Sequence, residues 1–175
     1  IADLIPRHSC VITVSNTGYI KRVPSDTYRT QHRGGKGIIG METKEEDYVE
    51  HLFNADSHDL IFFFTDRGFM YWLNVYEIPE GSRTGKGKAI VNMIKVEPGE
   101  KICAMLTVSP DEFDDPNKYI VMASRRGYIK KSELALFKNL RRVGLRALVI
   151  EEDDDLIGAG ISENGNEILL STRLG

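Results

Sequence analysis

The chain has 175 residues, 41% of them hydrophobic and 28% charged, with a formal net charge of −3. That length supports one domain with a real core, and the composition excludes a disordered polypeptide. The longest apolar runs, such as Leu60 to Phe64, fall far short of the ~20 residues that span a bilayer, so no membrane partner is expected. No charged-then-apolar leader opens the sequence, and Cys10 and Cys103 are too few for a disulfide framework. Both cysteines sit in apolar stretches and read as reduced packing residues.

The first predicted element is a strand at Val11-Ile12-Thr13-Val14. It runs into Ser15-Asn16-Thr17-Gly18 and returns at Tyr19-Ile20-Lys21. The same pattern recurs at Phe64-Thr65-Asp66-Arg67-Gly68-Phe69-Met70-Tyr71 and at Ala123-Ser124-Arg125-Arg126-Gly127-Tyr128-Ile129-Lys130, and it opens again at Thr172-Arg173-Leu174-Gly175. The glycines are 50, 59 and 48 residues apart. Each copy reads as a hairpin: β-branched and aromatic residues lead in, and the glycine supplies the positive φ of a tight turn. A further apolar strand follows in each unit, around Leu52, Ile102 and Leu156. Short strands, glycine turns and a period near 50 imply an all-β, propeller-like architecture of four-stranded blades around an axis. The expected limits are residues 7–59, 60–118 and 119–167, with 168–175 starting a further blade. An ending in the middle of a hairpin turn reads as a fragment. No helix is demanded: Ser132 to Phe137 could form one turn without helical counterparts, and Asp111 to Asn117 reads as an inserted loop.

The modest net charge hides a strong alternation. Residues 1–40, 41–59, 60–96, 97–120, 121–150 and 151–175 carry +4, −6, +2, −4, +7 and −6. Basic stretches recur with the structural repeat, as expected if every repeat presents positive charge on one edge. Between hairpin and third strand, each unit has a basic, glycine-bearing corner: Gln31 to Ile38, Arg83 to Ile90, and Arg141 to Leu148. Lys36, Lys88 and Arg146 lie 18, 20 and 19 residues past their hairpin glycines, which suggests one cationic corner per unit. Glycine backbone N–H groups can form an anion nest, and Arg adds bidentate reach to phosphate. The expected ligand is phosphate.

Gln31-His32-Arg33-Gly34-Gly35-Lys36-Gly37 resembles the seven-residue box that marks the C-terminal domain of bacterial DNA gyrase A. Gly18 to Arg22 and Thr27-Tyr28-Arg29 resemble the first blade of that domain, and units two and three resemble its degenerate blades. The resemblance implies a β-pinwheel that wraps duplex DNA around a basic rim, without sequence preference, so that gyrase introduces negative supercoils. His32 departs from it, standing where the family usually has Lys or Arg and giving a weaker cation at neutral pH.

The DNA-binding residues expected on these grounds are the box residues Gln31, His32, Arg33, Gly34, Gly35, Lys36 and Gly37, with Lys21, Arg22 and Arg29 beside them. Unit two adds Arg83, Lys86 and Lys88. Unit three adds Arg125, Arg126, Lys130, Lys131, Arg141, Arg142 and Arg146. The resemblance implies as partners double-stranded DNA, the remainder of the gyrase A polypeptide and gyrase B in an ATP-dependent topoisomerase holoenzyme, in the cytoplasm and on the nucleoid.

No catalytic constellation accompanies these features. Gly85-Lys86-Gly87-Lys88 lacks P-loop spacing, and His8, His32, His51 and His58 lack metal-ligand spacing. Asp153-Asp154-Asp155 lacks the elements of a calcium loop and reads as a solvated acidic turn. Tyr19 and Tyr128 read as blade-packing aromatics. No cofactor or metal is expected, and the module performs no chemistry in this reading. The alternatives are a propeller that binds a protein partner and the equivalent domain of topoisomerase IV.

Overall fold

In a computed structural model of the chain, residues 4–26, 49–82, 84–142 and 144–163 are described. The box, Arg29, Arg83 and residues 168–175 lie outside them. Among the described residues the regular elements are eleven strands and short 3-10 turns: β1 (Ser9–Ser15), β2 (Tyr19–Pro24), β3 (Val49–Asp56), β4 (Leu60–Thr65), β5 (Phe69–Asn74), β6 (Lys88–Ala89), β7 (Ile102–Val108), β8 (Lys118–Ser124), β9 (Ile129–Glu133), β10 (Leu145–Arg146) and β11 (Leu156–Glu163). Among the described residues, no helix is long and apolar enough to cross a membrane.

The strands form three antiparallel sheets with orders β3-β1-β2-β6, β10-β5-β4-β7 and β11-β8-β9. Each centres on one predicted hairpin, and the following strand pairs with the hairpin's first strand. The bulge recurs where that third strand meets the end of the hairpin strand: at Val14/Ser15, at Phe64/Thr65 and opposite Leu156/Gly158.

The repeat motif has a local cause. Gly18, Gly68 and Gly127 have φ of +83°, +85° and +96°, and each N–H donates to the carbonyl of Ser15, Thr65 or Ser124 at 3.0–3.1 Å. The same Ser or Thr also accepts, on its hydroxyl, the N–H of the residue after the glycine: Tyr19 at 3.1 Å, Phe69 at 3.3 Å and Tyr128 at 3.1 Å. The hydroxyl gives the N–H at the start of the return strand a partner within the turn itself.

The second sheet is sandwiched. Ile61 and Phe63 enter a core with Ile12, Val14, Ile20 and Tyr71; Phe62 and Phe64 enter the opposite core with Phe113, Ile120, Met122 and Phe137. Burial on both faces explains why β4 is a continuous apolar run. Two sequence expectations need correction. The Asp111 to Asn117 insertion is not only loop: a 3-10 turn, Pro110–Asp114, drives Phe113 into the core, 6.1 Å from the Phe62 ring. The turn Leu134–Phe137 does have a counterpart, Val75–Glu77, after β5. Cys10 is buried, Cys103 half-buried, and both are unbridged.

The edge strands are exchanged. β6, from the second unit, pairs with β2 of the first sheet, and β10, from the third unit, pairs with β5 of the second. The basic corners of the second and third units therefore lie on the sheet before them.

Candidate nucleic-acid interface

At the first corner, Lys88 and Ala89 pair with Ile20 and Tyr19, and the Ile90 N–H donates to the Gly18 carbonyl at 2.9 Å. At the second, Leu145 and Arg146 pair with Met70 and Phe69, and the Ala147 and Leu148 N–H groups donate to the Gly68 carbonyl at 2.8 and 3.1 Å. The matched bonds make Lys88 equivalent to Leu145, and Ala89 equivalent to Arg146. Spacing from the glycines had aligned Lys88 with Arg146. The true register differs by one residue, which puts those side chains on opposite faces of their strands.

The two corners nevertheless deliver charge to one place. Lys86 Nζ sits 4.1 Å from the Tyr19 ring centre, and the Arg146 guanidinium lies 5.2 Å from that of Phe69. Each ring follows a hairpin glycine, and each cation comes from the next unit. An aromatic face holds a cation by its quadrupole. The rings were not among the expected site residues. The signal for them was the aromatic at every glycine-plus-one position. Tyr128, the third such ring, is 62% exposed, so its reading as a packed aromatic does not hold among the described residues.

Lys21 needs the clearest correction. It is 0% exposed, and its ammonium donates to the Ser82 and Gly85 carbonyls, both at 2.8 Å. Burial pushes its pKa down to about 8. It holds the corner from beneath and does not face a ligand. Arg22 is likewise half-buried and structural. Its Nε donates to the Ile78 carbonyl at 3.1 Å, and one terminal nitrogen lies 3.2 Å from His8 Nε2.

Three further arginines are exposed but engaged. Arg125 and Arg126 reach the Asp153–155 turn: Arg125 Nε lies 3.3 Å from Asp155, and Arg126 lies 2.6 Å from Asp153. That turn is solvated at Asp153 but not at its middle residue. Asp154 is 2% exposed and accepts the Arg126 and Asp155 N–H groups, both at 2.9 Å. Burial alone would raise its pKa; hydrogen bonds from Ser124, Arg126 and Asp155 outweigh it and hold the carboxyl below its ordinary value. Arg142 forks onto the Glu77 carboxylate and stacks 4.8 Å over Trp72. Glu77 is pushed up by burial, but bonds from Arg142 and Asn74 bring its pKa below normal.

The remaining expected residues among those described face outward. Lys130 is exposed and donates to the Ala147 carbonyl at 3.1 Å; Lys131 sits 4.0 Å from the Tyr119 ring centre. Lys88, Arg141 and Arg146 are exposed and make no ion pair among the described residues. The structure thus brings Lys86, Lys88 and Arg146 to two equivalent corners, buries Lys21, half-buries Arg22 and pairs Arg125, Arg126 and Arg142 with carboxylates.

The family model described as "DNA gyrase C-terminal domain, beta-propeller" matches residues 11–56, 59–109 and 118–163, the three sheet-forming units. The chain belongs to this family. DNA gyrase A of Campylobacter jejuni is 44% identical over 172 residues, covering 98% of this chain and 20% of that protein. The gyrase A of Clostridium acetobutylicum is 42% identical over 175 residues, covering 100% and 21%; that of Staphylococcus aureus is 44% identical over 170 residues, covering 97% and 19%. The chain spans about a fifth of the length of these relatives. Two solved folds resemble it: the C-terminal domain of DNA topoisomerase IV (TM-score 0.74, 22% identity, 91% of this chain and 47% of that one) and the DNA gyrase A C-terminal domain (0.67, 24%, 90% and 49%). The gyrase C-terminal architecture is therefore the frame in which the corner cations stand.

Proposed function

We propose that this domain binds duplex DNA through its cationic corners and bends it, as a non-catalytic module of a DNA gyrase A polypeptide. The observation that carries the reading is the pair of equivalent corners, Lys86 on Tyr19 and Arg146 on Phe69, in a chain of the gyrase C-terminal family. Corner cations suit phosphates and carry no base code, so binding is sequence-independent and bendability sets what preference exists. Bending 20–30 bp costs on the order of 1–6 kcal/mol, which is why several corners must share the duplex. The box, with Arg33 and Lys36 beside Gly34 and Gly35, is the first anchor in this reading. The partners are the remainder of gyrase A and the ATP-hydrolysing gyrase B, in the cytoplasm on nucleoid DNA, in an enzyme that introduces negative supercoils.

Affinity for a duplex should fall steeply with salt: with about five phosphates neutralised, log K against log salt has a slope of about −4 to −5. A flat salt response contradicts the reading. A paired plasmid assay with Arg33→Ala, Lys36→Ala in the intact enzyme should show supercoiling lost and relaxation kept. Supercoiling at the parental rate would remove the box from the anchoring role.

A further inference from the structure

We propose that Lys21 is a positioning residue for the first cationic corner: its buried ammonium fastens the backbone at Ser82 and Gly85 and thereby sets where Lys86 and Lys88 stand. This rests on reading that corner as a duplex contact.

Two carbonyls three residues apart, those of Ser82 and Gly85, converge on one ammonium at 2.8 Å each, from a strand more than sixty residues earlier. The Gly85 N–H closes the turn on the Ser82 hydroxyl at 3.0 Å. The turn is moulded around the lysine stem. A Cβ on Gly81 would lie 3.3 Å from Lys21 Cδ; one on Gly87 would lie 3.0 Å from Lys21 Cβ and 2.4 Å from the Ile20 carbonyl oxygen. Gly87 has φ of +87°, and beyond it Lys88 and Ala89 join β2. Lys86 thus follows the pinned Gly85 directly and Lys88 stands three residues beyond it, and Lys86 reaches the Tyr19 ring from there.

The other two units solve the same position differently. The residue equivalent to Lys21 is Tyr71 in the second unit, where Gly144 is pressed so close that a Cβ would lie 2.8 Å from the ring. In the third it is Lys130, exposed and bonded to the Ala147 carbonyl. Fastening by a buried ammonium is a feature of the first corner. A group that is 0% exposed cannot itself meet a phosphate, so any effect of Lys21 on DNA has to pass through the turn.

Duplex binding by the full-length polypeptide tests this in a double-mutant cycle, with hydrogen exchange over residues 82–90 as the local readout. Lys21→Met keeps the stem and removes the donors. It should weaken binding about tenfold, on the scale of one charge-assisted hydrogen bond, and speed exchange in the corner. In a Lys86→Ala, Lys88→Ala background the same substitution should change affinity by less than about twofold, because coupled sites are non-additive. An equal loss in both backgrounds overturns the proposal. Binding kept in Lys21→Met but lost in Lys86→Ala, Lys88→Ala, with exchange unchanged, overturns the role of Lys21 alone. Binding unchanged in Lys86→Ala, Lys88→Ala overturns the duplex reading of the corner. Should Lys21→Met not melt cooperatively, reductive methylation of the parental protein decides. Lys86 and Lys88 should react readily and be protected by duplex while Lys21 stays unreacted; Lys21 reacting at their rate sinks the proposal.

Discussion

Arg67 and Arg125 belong to different hairpin turns and meet on one carboxylate: Asp155 Oδ1 lies 2.5 Å from Arg67, and its Oδ2 lies 3.3 Å from Arg125 Nε. The second and third hairpins are tied through this acidic side chain, and the Leu156 N–H adds a bond to the Asp66 carbonyl at 2.9 Å. All three side chains are more than a third exposed, so water screens the pairs and each contributes about 0.2–1 kcal/mol. Asp155→Ala should therefore lower stability by only about that amount per pair. Because it removes the carboxylate partner of two arginines, duplex affinity at low salt should rise. A fall in affinity, measured by fluorescence anisotropy, would show that the turn supports the DNA surface instead of competing with it.

Arg142 and Arg146 should separate cleanly. Among the described residues Arg146 is held by an aromatic face, whereas Arg142 is forked onto Glu77. Arg146→Ala should weaken duplex binding and reduce the salt slope by about one. Arg142→Ala should instead lower thermal stability, since it leaves half-buried Glu77 without its guanidinium, and should change binding little. The reverse pattern would reassign the second corner.

The hairpin glycines look alike in sequence but differ in what surrounds them. A Cβ on Gly18 or Gly127 meets nothing within 4 Å; on Gly68 it would lie 2.1 Å from the Leu148 carbonyl oxygen. Gly18→Ala should cost only the backbone strain of a positive φ, on the order of 1–2 kcal/mol. Gly68→Ala should cost distinctly more, because the returning chain must move. Urea denaturation of the two variants checks the order, and equal midpoints would contradict it.

Thr65 is fully buried, and its hydroxyl accepts the Phe69 N–H. Thr65→Val keeps the shape and orphans that N–H, so it should destabilise the domain by about 1–3 kcal/mol. A neutral result would mean that water or a shifted bulge replaces the hydroxyl.

Lys21 makes stability depend on pH in a definite direction. Its ordinary pKa of 10.5 is lowered by burial to about 8 in the folded chain. Below pH 8 both folded and unfolded chains hold the proton, and this group adds no slope. Between about 8 and 10.5 the unfolded chain retains a proton that the folded chain has released, so stability rises with pH through that window. The stability of the parental chain relative to Lys21→Met should be flat to pH 8 and then increase. A decrease would contradict the desolvated position of the amine.

The hairpins, their turns and the three-unit repeat were legible because each rests on local chemistry: a glycine at positive φ, a Ser or Thr that caps it, and a strand-forming run before it. The continuous apolar run from Leu60 to Phe64 already carried the mark of a sheet covered on both faces. Which sheet each corner would join was not legible, since a strand of two residues has no periodicity, and its pairing partner lies in another unit. Loops of different length between hairpin glycine and corner put Lys88 and Arg146 one residue out of the register that counting from the glycines suggests. Charge was equally ambiguous along the chain. Lys21, Arg125 and Lys86 all read as surface cations in basic stretches. Only packing decided that the first is buried under a turn, the second is bonded to the 153–155 turn and the third is held outward on a tyrosine ring. The reason is that a side chain's electrostatic role depends on which groups lie within a few ångströms, and those groups come from residues tens of positions away.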